Sequence, residues 1–424
     1  MADVARPTEA DALARDAADP LWSFHDRFLL PVGPDGSPAV YLAGQSLGLQ
    51  PRTARAALDV ELDRWSRLGV DAWFTPERPW FTYTERLREP MARIVGARPS
   101  EIAILNGLTV NIHLLLASFF RPDGRRRRIL ADGPLFPSDR HAITSHLAQR
   151  GLDPDRDLVV VEPHVGTSVL RTDDLEVAIR DRAPELALVF LSGVNFATGQ
   201  SHEIARLTDA GHAAGAMVGW DFAHAAGNVE LAVHDWNVDF AAWCTYKYLN
   251  GGPGSSAAIF VHDRHGQDPS TPRLGGWWGI DPRRRFDMTP AFGPAAGAAG
   301  WEASTPSPLA LAPLAASLAI FDEVGMPALR ARSVSLTGYL ARLLAELPVE
   351  VITPADPAAR GSQLSLRFDD AEAVLARLAT RGVVADFRAP DLLRIAPVPL
   401  YNTYHEAWRF ASILRDLPGS GRGA

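Results

Sequence analysis

WDFAHAAGNVELAVHDWNVDFAAWCTYKYLNGG, residues 220–252, is the stretch that decides the fold. The apolar run AMVGW leads into it and VDFAAWCTY lies within it, and both read as buried strands. Each ends on a residue with chemistry to offer: Asp221 after the first, Lys247 after the second. Lys247 is also the only lysine among 424 residues, so 41 of the 42 Lys and Arg side chains are arginines. Wherever a positive charge sufficed, Arg serves. The retained lysine points to a task closed to a guanidinium, because an amine can lose its proton and attack a carbonyl whereas Arg stays charged.

Working outward from this stretch, short apolar runs alternate with helical patterns from about residue 100 to 262. EIAIL precedes a helix from Thr109, RRIL precedes a helix after PSD, and LALVFLSGV precedes EIARLTDAGHAAG. Such alternation is the mark of βαβ units on a mainly parallel, doubly wound sheet, so the fold class is α/β. A long helical stretch, 308–347, then leads to VEVITP, SQLSLRF, AEAVLARLATRG, VVADF, LLRIAP and a last helix near 406–417. These read as a smaller α/β domain. The expected division is an N-terminal segment (1–50), a large domain (51–310), and a connecting helix with a small C-terminal domain (311–424).

Hydrophobic residues make up 47% and charged ones 22%, an ordinary balance for a soluble enzyme. A net charge of −8 argues against a nucleic-acid or anionic-membrane surface. The N-terminus has no signal-peptide pattern, and the apolar run IHLLLASFF is far too short to span a bilayer, so a cytoplasmic protein is expected. The single cysteine, Cys244, sits in an apolar strand and is expected to be a buried structural thiol. No Cys/His cluster at metal-ligand spacing is visible, and no metal is expected.

Ligands of open α/β sheets bind beyond the carboxyl ends of the strands. Asp221 and Lys247 therefore face the same edge, which is what pyridoxal 5'-phosphate needs: an amine to hold its aldehyde as an imine, and a carboxylate to keep its ring nitrogen protonated. His224 can cover a ring face or orient the carboxylate. LNGLTVN places Gly107 and Thr109 at a helix start, where free N–H groups suit a phosphate, although an ordinary strand-to-helix turn reads the same way. Trp277 and Trp278 in GGWWG are either core aromatics or a pocket wall. Arg394, ending a strand of the small domain, is a solvated arginine or a bidentate carboxylate grip.

Taken together, YLAGQSLGLQP, NGLTVN, FPSD, VNFATGQ, the 220–252 stretch, GGWWG and RIAPVPLYN resemble the kynureninase family, in order and spacing, from about residue 25 to 418. The resemblance implies a fold-type-I pyridoxal phosphate enzyme related to the class V aminotransferases. It also implies a homodimer with its active site at the subunit interface and a reaction that cleaves the Cβ–Cγ bond of a β-acyl-alanine. On the family's pattern, Leu108 and Thr109 contact the cofactor phosphate and Phe136 stacks on its ring. Asp139 and Ser192 lie in its polar shell, Asp221 and His224 form the DxxH, and Tyr246 and Trp277 contact the phosphate. Lys247 is the imine-forming lysine and general base, Tyr246 a proton donor, and Arg394 the holder of the substrate α-carboxylate.

Substrate positions depart from that pattern. The family's Gly-Asn-Ser-Leu-Gly segment is GQSLG here, with Gln45 for Asn and Ser46 kept. Trp73 stands where animal-type members have a histidine against the substrate ring. Thr305 stands where they have an asparagine at the border of cofactor and substrate. Because discrimination rests on satisfied polar partners, these changes predict weaker turnover of L-kynurenine than of a ring-modified analogue. A lyase or carbon–carbon bond-forming enzyme starting from the same carbanion is the alternative, and a non-catalytic relative a more distant one.

Overall fold

A computed structural model describes residues 7–288 and 290–417. Its centre is a seven-stranded sheet: β1 (Ile102–Leu105), β2 (Arg128–Asp132), β3 (Leu158–Val161), β4 (Leu186–Ser192), β5 (Met217–Asp221), β6 (Phe240–Trp243) and β7 (Ala257–Val261), in the order β1-β7-β6-β5-β4-β2-β3. Only β7 runs antiparallel to its neighbours. The carboxyl ends of β1, β2, β4, β5 and β6 consequently open onto one edge.

The central strands are apolar throughout because helices cover both faces. Trp220 and Trp243 are fully buried within them, and truncating either to alanine would cost about 3–5 kcal/mol. Each crossover helix follows the expected pattern: Leu108–Phe119 after β1, Pro137–Gln149 after β2, and Ile204–Ala213 after β4. The run Arg125–Arg128 leads into β2 and is anchored on both sides. Arg126 donates to the carbonyls of Leu186 and Ala214, and Arg128 pairs with Glu185.

The stretch 308–347 is two helices rather than one. Pro308–Val324 and Met326–Leu344 meet at 83°, broken at Gly325, whose φ of 78° closes the first helix before Pro327 opens the second. Among the described residues no single helix is long and apolar enough to cross a membrane. A second sheet follows, antiparallel in the order β8-β9-β11-β10: β8 (Glu350–Val351), β9 (Leu364–Arg367), β10 (Asp386–Arg388) and β11 (Leu392–Ile395). Its core takes Ala12, Val40 and Leu42 from the N-terminal segment, together with Leu340, Leu364, Leu393 and Phe410. Val40–Tyr41 pairs in parallel with Val383–Val384. The N-terminal segment thus shares the small sheet's core and pairs with the chain just before β10.

Candidate active site

The common strand edge holds a cavity of about 160 Å³. Leu108 and Thr109 border it after β1, Phe136 and Asp139 after β2, Ser192 at the end of β4, Asp221 and His224 at and after β5, and Tyr246 and Lys247 beyond β6. Nine residues expected near one cofactor thus line one cavity. Asp132, Asn195 and Phe196 also line it and were not anticipated.

Lys247 is buried, and its Nζ lies 3.2 Å from His224 Nε2 and 5.8 Å from the centre of the Phe136 ring. Its loop is held from the N-terminal segment. The Gly48 N–H donates to the Tyr246 carbonyl at 2.8 Å, and a Cβ on Gly48 would collide with the Lys247 carbonyl and with Asn250. GQSLG therefore fixes the lysine by close backbone approach, which only glycine permits.

Burial raises the carboxyl of Asp221, opposed by the Lys247 charge and by the Ala223 N–H, which donates to it at 2.7 Å. Burial, then repulsion from Asp221, lifts the Asp139 carboxyl well above the usual range. The two carboxyls are hydrogen-bonded partners, each raised by burial and each opposed by the Lys247 charge. Burial, then the Lys247 charge, pushes His224 well below its usual value and keeps the imidazole neutral. Burial also raises the Cys244 thiol, as fits a structural cysteine, and the Tyr246 phenol.

These features fit pyridoxal phosphate. The helix Leu108–Phe119 begins at Gly107 without a side-chain cap, and the space beside Gly107 is open, so its first N–H groups are available to a phosphate. His224 Nδ1 is buried and has no partner among the described residues. A buried carboxylate pair, a buried amine and the Phe136 ring lining one cavity suit a cationic pyridine. Leu108, Thr109, Asp221, His224 and Lys247 are the residues that would hold it.

The substrate positions fall in two places. Arg394 lies against the cavity, its Nη1 donating to the carbonyl of the lining residue Phe196 at 2.7 Å. Its Nη2 reaches Ser46 Oγ at 3.2 Å, and Gln45 Nε2 donates to the Arg394 carbonyl at 3.3 Å. Trp73, Trp277 and Thr305 do not line the cavity. Trp73 packs 5.5 Å from Trp80 and 5.7 Å from Trp278, and Trp278 is buried. Trp277 is 40% exposed and meets Phe286 at 5.7 Å, while Thr305 is exposed on the next loop. A Cβ on Gly276 would collide with the Ala303 carbonyl, so the two loops form one surface.

One cluster that no spacing announced lies at the opposite edge of the sheet. His234 Nδ1 is 2.8 Å from the buried Glu101 carboxylate, and the His262 ring stacks on His234 at 4.9 Å. The N–H groups of Asp263 and Arg264 donate to Glu101 and to His262 Nδ1.

The architecture is that of the fold-type-I pyridoxal phosphate enzymes. A C-DES mutant with glycine covalently linked to its PLP cofactor superposes with a TM-score of 0.77, covering 93% of this chain and 99% of its own at 19% identity. A cysteine desulfurase from Thermococcus onnurineus gives 0.72 over 89% and 94%, also at 19%. Residues 329–414 match the family model for the kynureninase C-terminal domain. Kynureninases from Koribacter versatilis and Salinispora tropica are 49% and 52% identical over 407 and 412 residues, spanning 95% and 94% of this chain and 96% and 95% of theirs. The chain belongs to the kynureninase family.

Proposed function

We propose that the protein hydrolyses L-kynurenine to anthranilate and L-alanine with pyridoxal phosphate. The observation that carries this is the single buried lysine beside His224 and near the Phe136 ring in a cavity also lined by Asp221, within a chain about half identical to kynureninases over nearly its whole length. Bound there, pyridoxal phosphate supplies an aldehyde that captures the substrate amine and a ring that accepts electrons from the α-carbon.

The protein's residues do the rest. Arg394 holds the α-carboxylate near Phe196, which orients the α-carbon toward Lys247. Lys247 Nζ, the group that would hold the cofactor aldehyde, would also take the α-proton, and neutral His224 beside it would accept a hydrogen bond from the resulting ammonium. Asp221 stabilises positive charge at the ring nitrogen, with Asp139 bonded behind it. Water adds to the γ-carbonyl and the Cβ–Cγ bond breaks, releasing the aryl acid. Tyr246, kept protonated by burial, would give a proton to Cβ as the bond breaks and recover one from the attacking water, and the Lys247 ammonium would return its proton to the α-carbon, completing L-alanine.

Trp73, Trp277 and Thr305 enter through a homodimer in this reading, closing the partner's cavity. Supporting it, Trp277, Phe74 (56% exposed) and Phe286 (58%) form an exposed aromatic surface of the kind interfaces cover. Trp73 and Thr305 accordingly shape the rim of the slot and leave its cofactor face unaltered, which favours L-kynurenine itself over a modified analogue. The division at residues 50 and 310, and a cytoplasmic location, belong to the same proposal. Incubating holoenzyme with L-kynurenine should release anthranilate and alanine in equal amounts. Preferred turnover of a ring-modified analogue, or another product, would overturn the assignment.

A further inference from the structure

The arginine that should grip the substrate already grips a carboxylate. β10 and β11 pair antiparallel with Asp386 opposite Arg394. Side chains alternate along a strand, so Asp386 and Arg388 share a face, and cross-strand partners share it too. On that face Arg394 Nη2 donates to Asp386 Oδ2 at 2.7 Å, Arg388 Nη2 donates to the same oxygen at 3.1 Å, and the Ser46 hydroxyl donates to it as well.

A guanidinium offers a carboxylate two forks, end-on through Nη1 and Nη2 or side-on through Nε and Nη2. Both include Nη2. In Arg394 the two Nη2 hydrogens are committed to Asp386 and Ser46, whereas Nε is buried and has no partner among the described residues. A bidentate carboxylate can therefore enter only by taking a bond from Nη2. Arg388, whose side chain is 41% exposed, stands ready to keep Asp386 when it is released. Two arginines and one aspartate leave one net positive charge, matched to a monocarboxylate.

We propose that Asp386 is a resident stand-in for the substrate carboxylate and a specificity-determining residue of this site. It holds Arg394 in position and competes with any incoming carboxylate, so ligands that bring a carboxylate alone bind poorly. Ligands whose amine is also captured in the Lys247 cavity overcome the competition. This rests on the assignment of Arg394 as the carboxylate anchor.

The test is calorimetric titration of holoenzyme with 4-oxo-4-phenylbutanoate, which carries the ketone and carboxylate of the substrate without its amine. Asp386→Asn should tighten its Kd about tenfold, Asp386→Glu should bind as the parent does, and Arg394→Gln should weaken it. If Arg394→Gln weakens binding while Asp386→Asn leaves it unchanged or weaker, the competition is overturned and the anchor stands. If Arg394→Gln has no effect, the anchor assignment itself falls, and the proposal with it. Should Asp386→Asn fail to fold, Arg388→Gln decides: without a second partner Asp386 stays on Arg394, and binding should weaken, whereas an unchanged Kd overturns the proposal.

Discussion

The cavity at the strand edge and the aromatic surface around Trp277 are built in opposite ways. In the first, Lys247, Asp221, His224 and Phe136 converge from three strand ends within one chain, and the polar groups are buried and largely paired. In the second, Trp277, Phe74, Phe286 and Met288 stand exposed on loops, with rings meeting one another and little else. A sheet edge fixes chemistry because every strand end is tied by its ladder to its neighbours. Loops that carry apolar rings into water at this density are finished by another surface. The comparison sets a cavity whose cofactor-facing groups converge within one chain against an exposed surface that, in the proposed dimer, would complete the substrate slot.

The largest effect should come from the lysine. Lys247→Arg keeps the charge and nearly the reach, yet it removes both the imine-forming amine and the proton carrier. Proton transfer alone is worth about 10²–10⁴-fold, so kcat for anthranilate release should fall by more than about 10⁴-fold while the fold, read by circular dichroism, stays intact. Appreciable residual turnover would mean that the cavity is not where the reaction occurs.

Next in size is the junction between the two regions. Replacing Phe286 with Asp puts a charge into the exposed aromatic surface and should cost about 2–4 kcal/mol of subunit association, seen by sedimentation as dissociation that tracks loss of activity. A sharper version mixes subunits. Lys247→Ala and Trp73→Asp chains should each be inactive, and their heterodimer should regain activity, because one of its two cavities combines an intact Lys247 with the partner's intact Trp73. A purified heterodimer that stays inactive would return Trp73 to its own chain.

The same contrast governs what was legible in the sequence. The large sheet and most of the cavity could be read because each contributor is a strand end: an apolar run stops, and a Lys, Asp or Ser follows. The single lysine singled itself out by composition. Asp132 also ends a strand, but ADGPLF carries no sign that its carboxylate accepts both the N–H and the hydroxyl of Ser192, at 2.8 and 2.5 Å. Asp386 was invisible for a different reason. Its meaning lies in being cross-strand from Arg394, and register depends on tertiary pairing that a two-residue alternation does not specify. The break at Gly325 was hidden because apolar periodicity continues across it, and the link of Glu101 to His234 and His262 was hidden because Glu101 stands more than a hundred residues before either.

The smallest effect concerns stability and returns to the cavity's paired carboxylates. In cofactor-free protein, burial and Asp221 hold the Asp139 carboxyl well above 3.8. The folded state then keeps a proton that the unfolded chain releases. The stability so contributed is fully present below the unfolded value and is lost as pH rises through the folded one. Asp139→Asn keeps a hydrogen-bond donor for Asp221 and removes the titration. At pH 7–8 the cofactor-free variant should therefore be more stable than the parent by about 1 kcal/mol, roughly 2 °C in Tm, and the difference should close as pH falls toward 4. The gain should shrink once pyridoxal phosphate is bound, because a cationic ring nitrogen then pairs with Asp221 and relieves the repulsion in the parent. An Asp139→Asn protein less stable than the parent at every pH would show that the two carboxylates are not in conflict, and that this wall of the cavity is as relaxed without cofactor as with it.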